Sequence, residues 1–276
     1  MDIYNTLFFG EIMLHYVYIF ICIFIFASPV MAKDIIFGVD TNYPPMESID
    51  ANQRIVGFGP DLIMAAGKAA GFTPIFRDVA WTQIFSALEN KEIDAVLASV
   101  TITEPRKRKM DFSDTYFTSY QAVIVKNEAK TNSLDDLAEK RIGALEASIS
   151  YDVCKEIARH EGAVAKPFPH PTAAVAAVEK GLLDAAIIDA PAAFGLVLDH
   201  QRYSQTLKLG FLIPTENPES FGVAVRKGDV ETLKLINSGL AAVKSSGEYQ
   251  KIYDKWLAKV PSKPESKSFF KLPWLF

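Results

Sequence analysis

The chain has 276 residues, with 29 basic against 33 acidic side chains and a formal net charge of −4 at pH 7. At roughly 100–200 residues per domain this is one large domain or two modest ones, and a pI near 5.7 argues against a nucleic-acid binder, whose footprint is normally basic. Hydrophobic residues make up 49% and there are two cysteines, which excludes disorder over most of the chain, a disulfide scaffold and any cysteine-built metal centre.

Residues 12–26, IMLHYVYIFICIFIF, are an apolar run broken only by His15. As a helix such a run spans roughly 22 Å at ~1.5 Å per residue, short of the ~30 Å hydrocarbon core. Its length, Pro29 and the small-residue ending Val30-Met31-Ala32 predict a secretory signal peptide over 1–32, cleaved after Ala32, rather than a retained membrane anchor. Positions 1–11 carry Asp2 and Glu11 but no Lys or Arg, so a start at Met13 suits a signal better than Met1. Cys22 follows Ile21 rather than a small residue, against a lipoprotein site there. Cleavage leaves one thiol, Cys154, on the helical stripe Ile149, Val153, Ile157, which reads as a packed residue and not a nucleophile. His160 and His170 have no third group at the spacing of a triad.

Beyond the signal, short apolar runs alternate with helical patterns. Residues 35–39 read as a strand, and Pro60 opens a helix at its first turn. Residues 93–98 and 185–188 read as buried parallel strands and 122–125 as another, an alternation that predicts α/β layers on parallel sheets. One stretch recurs. ALENKEIDAVLAS (87–99) aligns with AVEKGLLDAAIID (177–189) at an offset of 90, each copy a helix end, a turn and a buried strand. Ligands of open α/β sheets bind beyond the carboxyl ends of the strands. Ser99 and Asp189 are the polar residues at those two ends, which predicts a cleft between two similar lobes.

After Ser99 comes VTITEPRKRK (100–109). Thr103, Glu104 and Pro105 form a helix start: a capping hydroxyl, an acid and an early proline. Arg106 then falls one turn in, where its guanidinium can return over the strand end and hold a carboxylate bidentately, with Thr101 as a further donor. Lys107, Arg108 and Lys109 read as a solvated basic turn. Asp189 suits an ammonium ion, or is an ordinary strand-end cap.

The run GVDTNYPPME (38–47) with Val56-Gly57-Phe58, then 93–99, TITEPR (101–106), MDFSDTY (110–116), 180–189 and GEYQKIYDKWL (247–257) resembles the periplasmic solute-binding proteins, family 3, of polar amino acid ABC transporters. The resemblance spans residues 34–257 in order. It implies the type II periplasmic binding protein fold: two α/β lobes, 33–117 plus 219–260 and 121–212, joined by a two-strand hinge with the ligand cleft between them. Carried across, it gives Arg106 the ligand α-carboxylate, and Asp189 the α-ammonium with Ser99 and Thr101. Tyr43 and Trp81 sandwich the ligand side chain, unless they are core packing. Asp40 and Glu47 lie near the side-chain end, unless Glu47 belongs to a solvated loop.

The chain departs from the pattern at Glu146-Ala147-Ser148-Ile149, where Gly-Thr-Thr is usual. Ser148 can still cap the helix and present N–H groups to a carboxylate. Gly59 stands where an acid is common. Residues 261–268 read as a linker and FFKLPWLF (269–276) as an aromatic, basic tail, disordered or sticky toward a membrane or partner.

The expected function is a periplasmic, monomeric carrier without cofactor, metal or nucleic-acid partner. It captures a polar amino acid and presents it to an inner-membrane ABC permease; Asp40, Glu47 and Glu146 tilt the ligand toward arginine or lysine, while glutamine stays compatible with Asp40. The competing readings are a cyclohexadienyl (prephenate or arogenate) dehydratase on the same fold, with Glu146 as general acid, and an amino acid sensor docking through its tail.

Overall fold

A computed structural model describes residues 32–197, 202–215 and 217–260. The predicted signal peptide up to Met31 and the tail 261–276 lie outside the described residues.

The chain opens with β1 (Lys33–Val39), whose inner residues Ile35, Phe37 and Val39 are fully buried. A small antiparallel unit follows, β2 (Asn42–Tyr43), β3 (Glu47–Ile49) and β4 (Ile55–Val56). Helix α1 (Phe58–Ala70) buries Phe58, Leu62, Ile63 and Ala66 at i, i+4, i+5 and i+8, one apolar face against the sheet. It ends at Gly71 in the left-handed conformation, the usual glycine stop. Then come β5 (Phe72–Asp78), α2 (Trp81–Glu89), β6 (Ala95–Val96), the single turn α3 (Glu104–Lys107) and β7 (Met110–Phe112).

At β8 (Phe117–Ser119) the chain crosses to a second sheet: β9 (Gln121–Lys126), β10 (Arg141–Leu145), α4 (Ile149–Glu161), β11 (Val164–Phe168), α5 (Pro171–Glu179), β12 (Ala185–Asp189), α6 (Ala190–Val197) and β13 (Leu207–Leu212). It returns through β14 (Glu219–Phe221), antiparallel to β8, and finishes the first lobe with β15 (Ala224–Arg226), α7 (Val230–Ser245) and α8 (Glu248–Leu257). The sheets run β5-β1-β6-β15-β7 and β11-β10-β12-β9-β13.

Each lobe has its own core. Phe37, Phe58, Phe221 and Ile236 lie at the centre of the first. The second sheet carries one cluster on each face, around Val175 and Ile188 and around Ile142 and Cys154. Cys154 is fully buried in α4, and burial raises its thiol pKa, as the helical stripe predicts. No helix among the described residues is long and apolar enough to cross a membrane.

The expected parallel sheets need one correction. β6 is parallel to β1 and β12 to β10, but β15 joins β6 antiparallel and β9 joins β12 antiparallel, so both sheets are mixed. A wholly apolar strand reports burial on both faces and not the direction of its neighbour.

The sequence repeat is a structural one. Asp94 and Asp184 play the same part: each carboxylate accepts a backbone N–H of the adjacent parallel strand, Ile36 at 3.0 Å and Arg141 at 2.8 Å. Each is also paired with an arginine, Arg226 and Arg141. The turn before each strand needs one left-handed residue, which is Gly181 (φ 72°) in the second copy and Lys91 (φ 64°) in the first.

Candidate ligand-binding cleft

The two repeated strand ends, Ser99 and Asp189, face one cleft with about 500 Å³ of empty space including its open mouth. Eight of the residues singled out as ligand contacts line it: Asp40, Tyr43, Trp81, Ser99, Thr101 and Arg106 from the first lobe, Ser148 and Asp189 from the second.

Arg106 is placed by the turn expected for it. The Thr103 hydroxyl accepts the Arg106 N–H at 3.3 Å and caps α3. The guanidinium then folds back to donate from Nη1 to the Thr101 carbonyl at 2.9 Å. It lies 5.4 Å from the Trp81 ring centre and 5.7 Å from that of Phe85, within cation–π range. Burial depresses its pKa, opposed by the charges of Glu219 and Asp152. Trp81 therefore both lines the cleft and supports the arginine. It packs edge-to-face on Phe85 at 5.0 Å, and ligand contact and packing are not alternatives for it. Lys107, Arg108 and Lys109 are exposed.

Asp40 is nearly buried at the carboxyl end of β1. Oδ2 accepts the Trp81 N–H at 2.8 Å, serving the otherwise uncapped start of α2. Oδ1 accepts both the backbone and the side-chain N–H of Asn42 at 3.0 Å.

Across the cleft, the Tyr43 hydroxyl donates to Asp189 Oδ2, so the lobes touch in this structure. They also meet where the α6 backbone at Gly195 faces Pro44; a Cβ there would come 2.6 Å from the Pro44 carbonyl oxygen. Ser148 caps α4, accepting the Tyr151 N–H at 3.2 Å while its hydroxyl donates to the Leu145 carbonyl at 2.6 Å. Ala147 before it holds φ 57°, the left-handed geometry for which the family pattern keeps glycine.

Behind the lining stand residues that the sequence did not single out. Gln121 Nε2 donates to Asp189 Oδ1 at 2.6 Å and to Glu219 Oε1 at 2.5 Å, and Thr101 Oγ1 donates to Glu219 Oε2 at 2.7 Å. All four side chains are buried. Burial first, then the Glu219 charge, drives the Asp189 pKa well above the usual carboxylate range. Burial also raises that of Glu219, against the hydrogen bonds from Thr101 and Gln121. The only sequence signal was a pair of polar residues bracketing the crossings at β8 and β14.

Glu47 corrects two expectations. It neither lines the cleft nor sits in a solvated loop, because β3 turns it wholly inward. Ser99 Oγ lies 3.1 Å from Glu47 Oε1 and 3.0 Å from Oε2, donating to the carboxylate, and Ser99 holds φ 48°. A Cβ on Gly59 would lie 2.9 Å from Glu47 Oε1, so the Glu47 carboxylate fills the space beside the position where an acid is common. Burial raises its pKa, with Ser99 opposing. Glu146 is exposed and lines no part of the cleft, so the one candidate general acid is not at the site. Among the described residues no group of three or more His, Cys, Asp or Glu is arranged to hold a metal ion.

The arrangement matches a zwitterion: one cation, Arg106, on the first lobe and a carboxylate, Asp189, on the second. Once those two are matched, Asp40 remains on the wall as a further negative group.

The model of the bacterial extracellular solute-binding proteins, family 3, matches residues 35–259. A probable histidine-binding protein of Neisseria gonorrhoeae is 34% identical over 238 residues, covering 84% of this chain and 87% of that protein. The arginine-binding extracellular protein ArtP of Bacillus subtilis is 30% identical over 225 residues, covering 81% and 86%. The solved structure of an ancestral arginine-binding protein bound to arginine superposes with a TM-score of 0.76 at 36% identity, covering 82% of this chain and 99% of that one.

Proposed function

Because this chain belongs to the bacterial extracellular solute-binding proteins of family 3, we propose that it captures a polar amino acid between its lobes and delivers it to the membrane permease of an ABC transporter, with a cationic amino acid such as arginine as its preferred ligand. It acts as a monomeric carrier and not an enzyme, in the periplasm, after its signal peptide is cut following Ala32. The moving bodies are residues 33–117 with 219–260, and 121–212.

The observation that carries the ligand class is the charge left over at the cleft. Arg106 takes the α-carboxylate bidentately, joined by the amides at the Ser148-capped start of α4. Asp189 takes the α-ammonium. The Ser99 and Thr101 hydroxyls spend their protons on Glu47 and Glu219, which leaves their oxygens as acceptors for the same ammonium. Asp40, on the wall with Tyr43 and Trp81 and held by Trp81 and Asn42, then turns its charge toward a positive side chain. Contacts from both lobes are complete only when the lobes are together, so the ligand shifts the hinge equilibrium toward the closed form.

The test is thermal unfolding of the protein against the twenty amino acids, ornithine and prephenate. A ligand at ~1,000 times its Kd adds roughly 4 kcal/mol of stability, a Tm shift on the order of 10 °C for a chain of this size. A shift with arginine, lysine or histidine supports the reading. A response to neutral amino acids alone overturns the cationic preference, and silence toward all amino acids overturns the carrier.

A further inference from the structure

Tyr43 ends β2, where its register with Glu47 of β3 and the Met46 N–H donated to its carbonyl at 3.0 Å fix the backbone. Its ring packs against the apolar cores of both lobes. Its hydroxyl crosses the cleft and donates to Asp189 Oδ2. The other carboxylate oxygen, Oδ1, accepts Gln121 Nε2 at 2.6 Å from behind the lining. Asp189 as a whole is 8% exposed, which leaves Oδ2 as the oxygen turned to the cleft, and a phenol sits on it.

A phenol hydroxyl and an α-ammonium make the same demand of Asp189: one proton aimed at a buried carboxylate. They also reach it from the same side, because Tyr43 belongs to the first lobe and Asp189 to the second. Opening the lobes parts the hydroxyl from the carboxylate, and closing them over a ligand brings the ammonium between the two. The ammonium is charged and is the stronger donor. A buried carboxylate oxygen left with neither donor is costly.

We propose that the Tyr43 hydroxyl is an internal stand-in for the ligand α-ammonium: the two occupy Asp189 Oδ2 in turn, and Tyr43 thereby sets how much of the affinity the ammonium contributes. This rests on the reading above, in which Asp189 takes the ammonium, and gives Tyr43 a polar part beside its aromatic one. An amino acid displaces the hydroxyl and forfeits that bond. A ligand of the same shape without the ammonium leaves the hydroxyl in place, so Asp189 keeps a donor.

The experiment compares Kd in the full chain and in Tyr43→Phe for arginine and for guanidinovalerate, which is arginine without its α-ammonium. Phenylalanine keeps the ring between the two cores and removes only the oxygen. The ratio of the guanidinovalerate Kd to the arginine Kd is expected to rise at least about fivefold in Tyr43→Phe, the equivalent of one hydrogen bond of ~1 kcal/mol. A ring that only packs or stacks changes both constants alike, so equal ratios in the two proteins overturn the proposal. A ratio that falls shows hydroxyl and ammonium holding the carboxylate together, and overturns it as well. A second readout needs no variant to bind. In the unmutated protein, isotopically labelled at tyrosine Cζ, the Tyr43 resonance (identified by its absence from Tyr43→Phe) should move further with arginine than with guanidinovalerate. Equal movement overturns the exchange. Arginine that fails to bind the unmutated protein overturns the ligand reading and this proposal together, whereas arginine binding with an unchanged ratio overturns the stand-in alone.

Discussion

Asp189 on the cleft wall and Glu219 behind it come from strands of different sheets, and Gln121 hands one amide N–H to each. Burial makes both carboxylates hold their protons to higher pH than in an unfolded chain, with the Arg106 charge opposing this at Glu219. A raised acid pKa contributes stability that is complete below about pH 4 and is lost as pH climbs through the folded-state values. Surface acids held low by partners, such as Asp184 beside Arg141, are ionised in both states above about pH 5, so they add no slope there. The ligand-free protein is therefore expected to melt lower at pH 8 than at pH 5, and Glu219→Gln to flatten that slope; an unchanged slope would show that the pair is not the source. An ammonium beside Asp189 draws its pKa back down. Arginine binding should accordingly release protons, counted by calorimetry in two buffers of different ionisation heat, and Asp189→Asn should abolish the release.

Arg106→Lys keeps the charge but loses the fork and the planar stack on Trp81, and should cost on the order of 100-fold in affinity, about 3 kcal/mol. Asp40→Asn should weaken arginine far more than glutamine; equal losses would assign Asp40 a purely structural part at the start of α2. Arg106 was legible because its cap, turn and return lie within six consecutive residues. Glu47, Gln121 and Glu219 were not, because their partners lie 52, 98 and 118 residues away, and no local pattern says which polar strand residue faces inward.

At the scale of elements the repeated helix–turn–strand supplies its own control. Lys91 and Gly181 occupy the same turn with nearly the same φ, but only glycine holds it without a Cβ clash. Lys91 is exposed, so Lys91→Gly should raise stability by roughly 0.5–1 kcal/mol in urea titration with an unchanged m-value. Ala147→Gly should do the same and, by easing the start of α4, also tighten ligand binding. A loss of stability in either would mean the turn is not strained. The strands themselves were legible from apolar runs bounded by turns. Their partners were not, since β15 and β9 enter beside β6 and β12 from remote parts of the chain.

For the whole molecule, closure depends on how nearly the lobes can approach. Gly195 is tolerated against Pro44 only without a side chain. Gly195→Val should leave the ligand-free Tm within a degree or two while weakening arginine binding at least tenfold. A fall in the ligand-free Tm would instead place the clash within one lobe.

The sheet order has a consequence in time. β7 joins the first sheet solely through β15, and Asp94 waits for Arg226, 132 residues later, whereas Asp184 finds Arg141 only 43 residues away. The second lobe is thus one continuous stretch that can close on itself, while the first stays open until the returning strand arrives, and long loops make such pairings slow. In pulsed hydrogen exchange during refolding, the amides of Ile142 and Ile187 should gain protection before that of Val225, so the half of the cleft bearing Asp189 is built first and the half bearing Arg106 is finished around it.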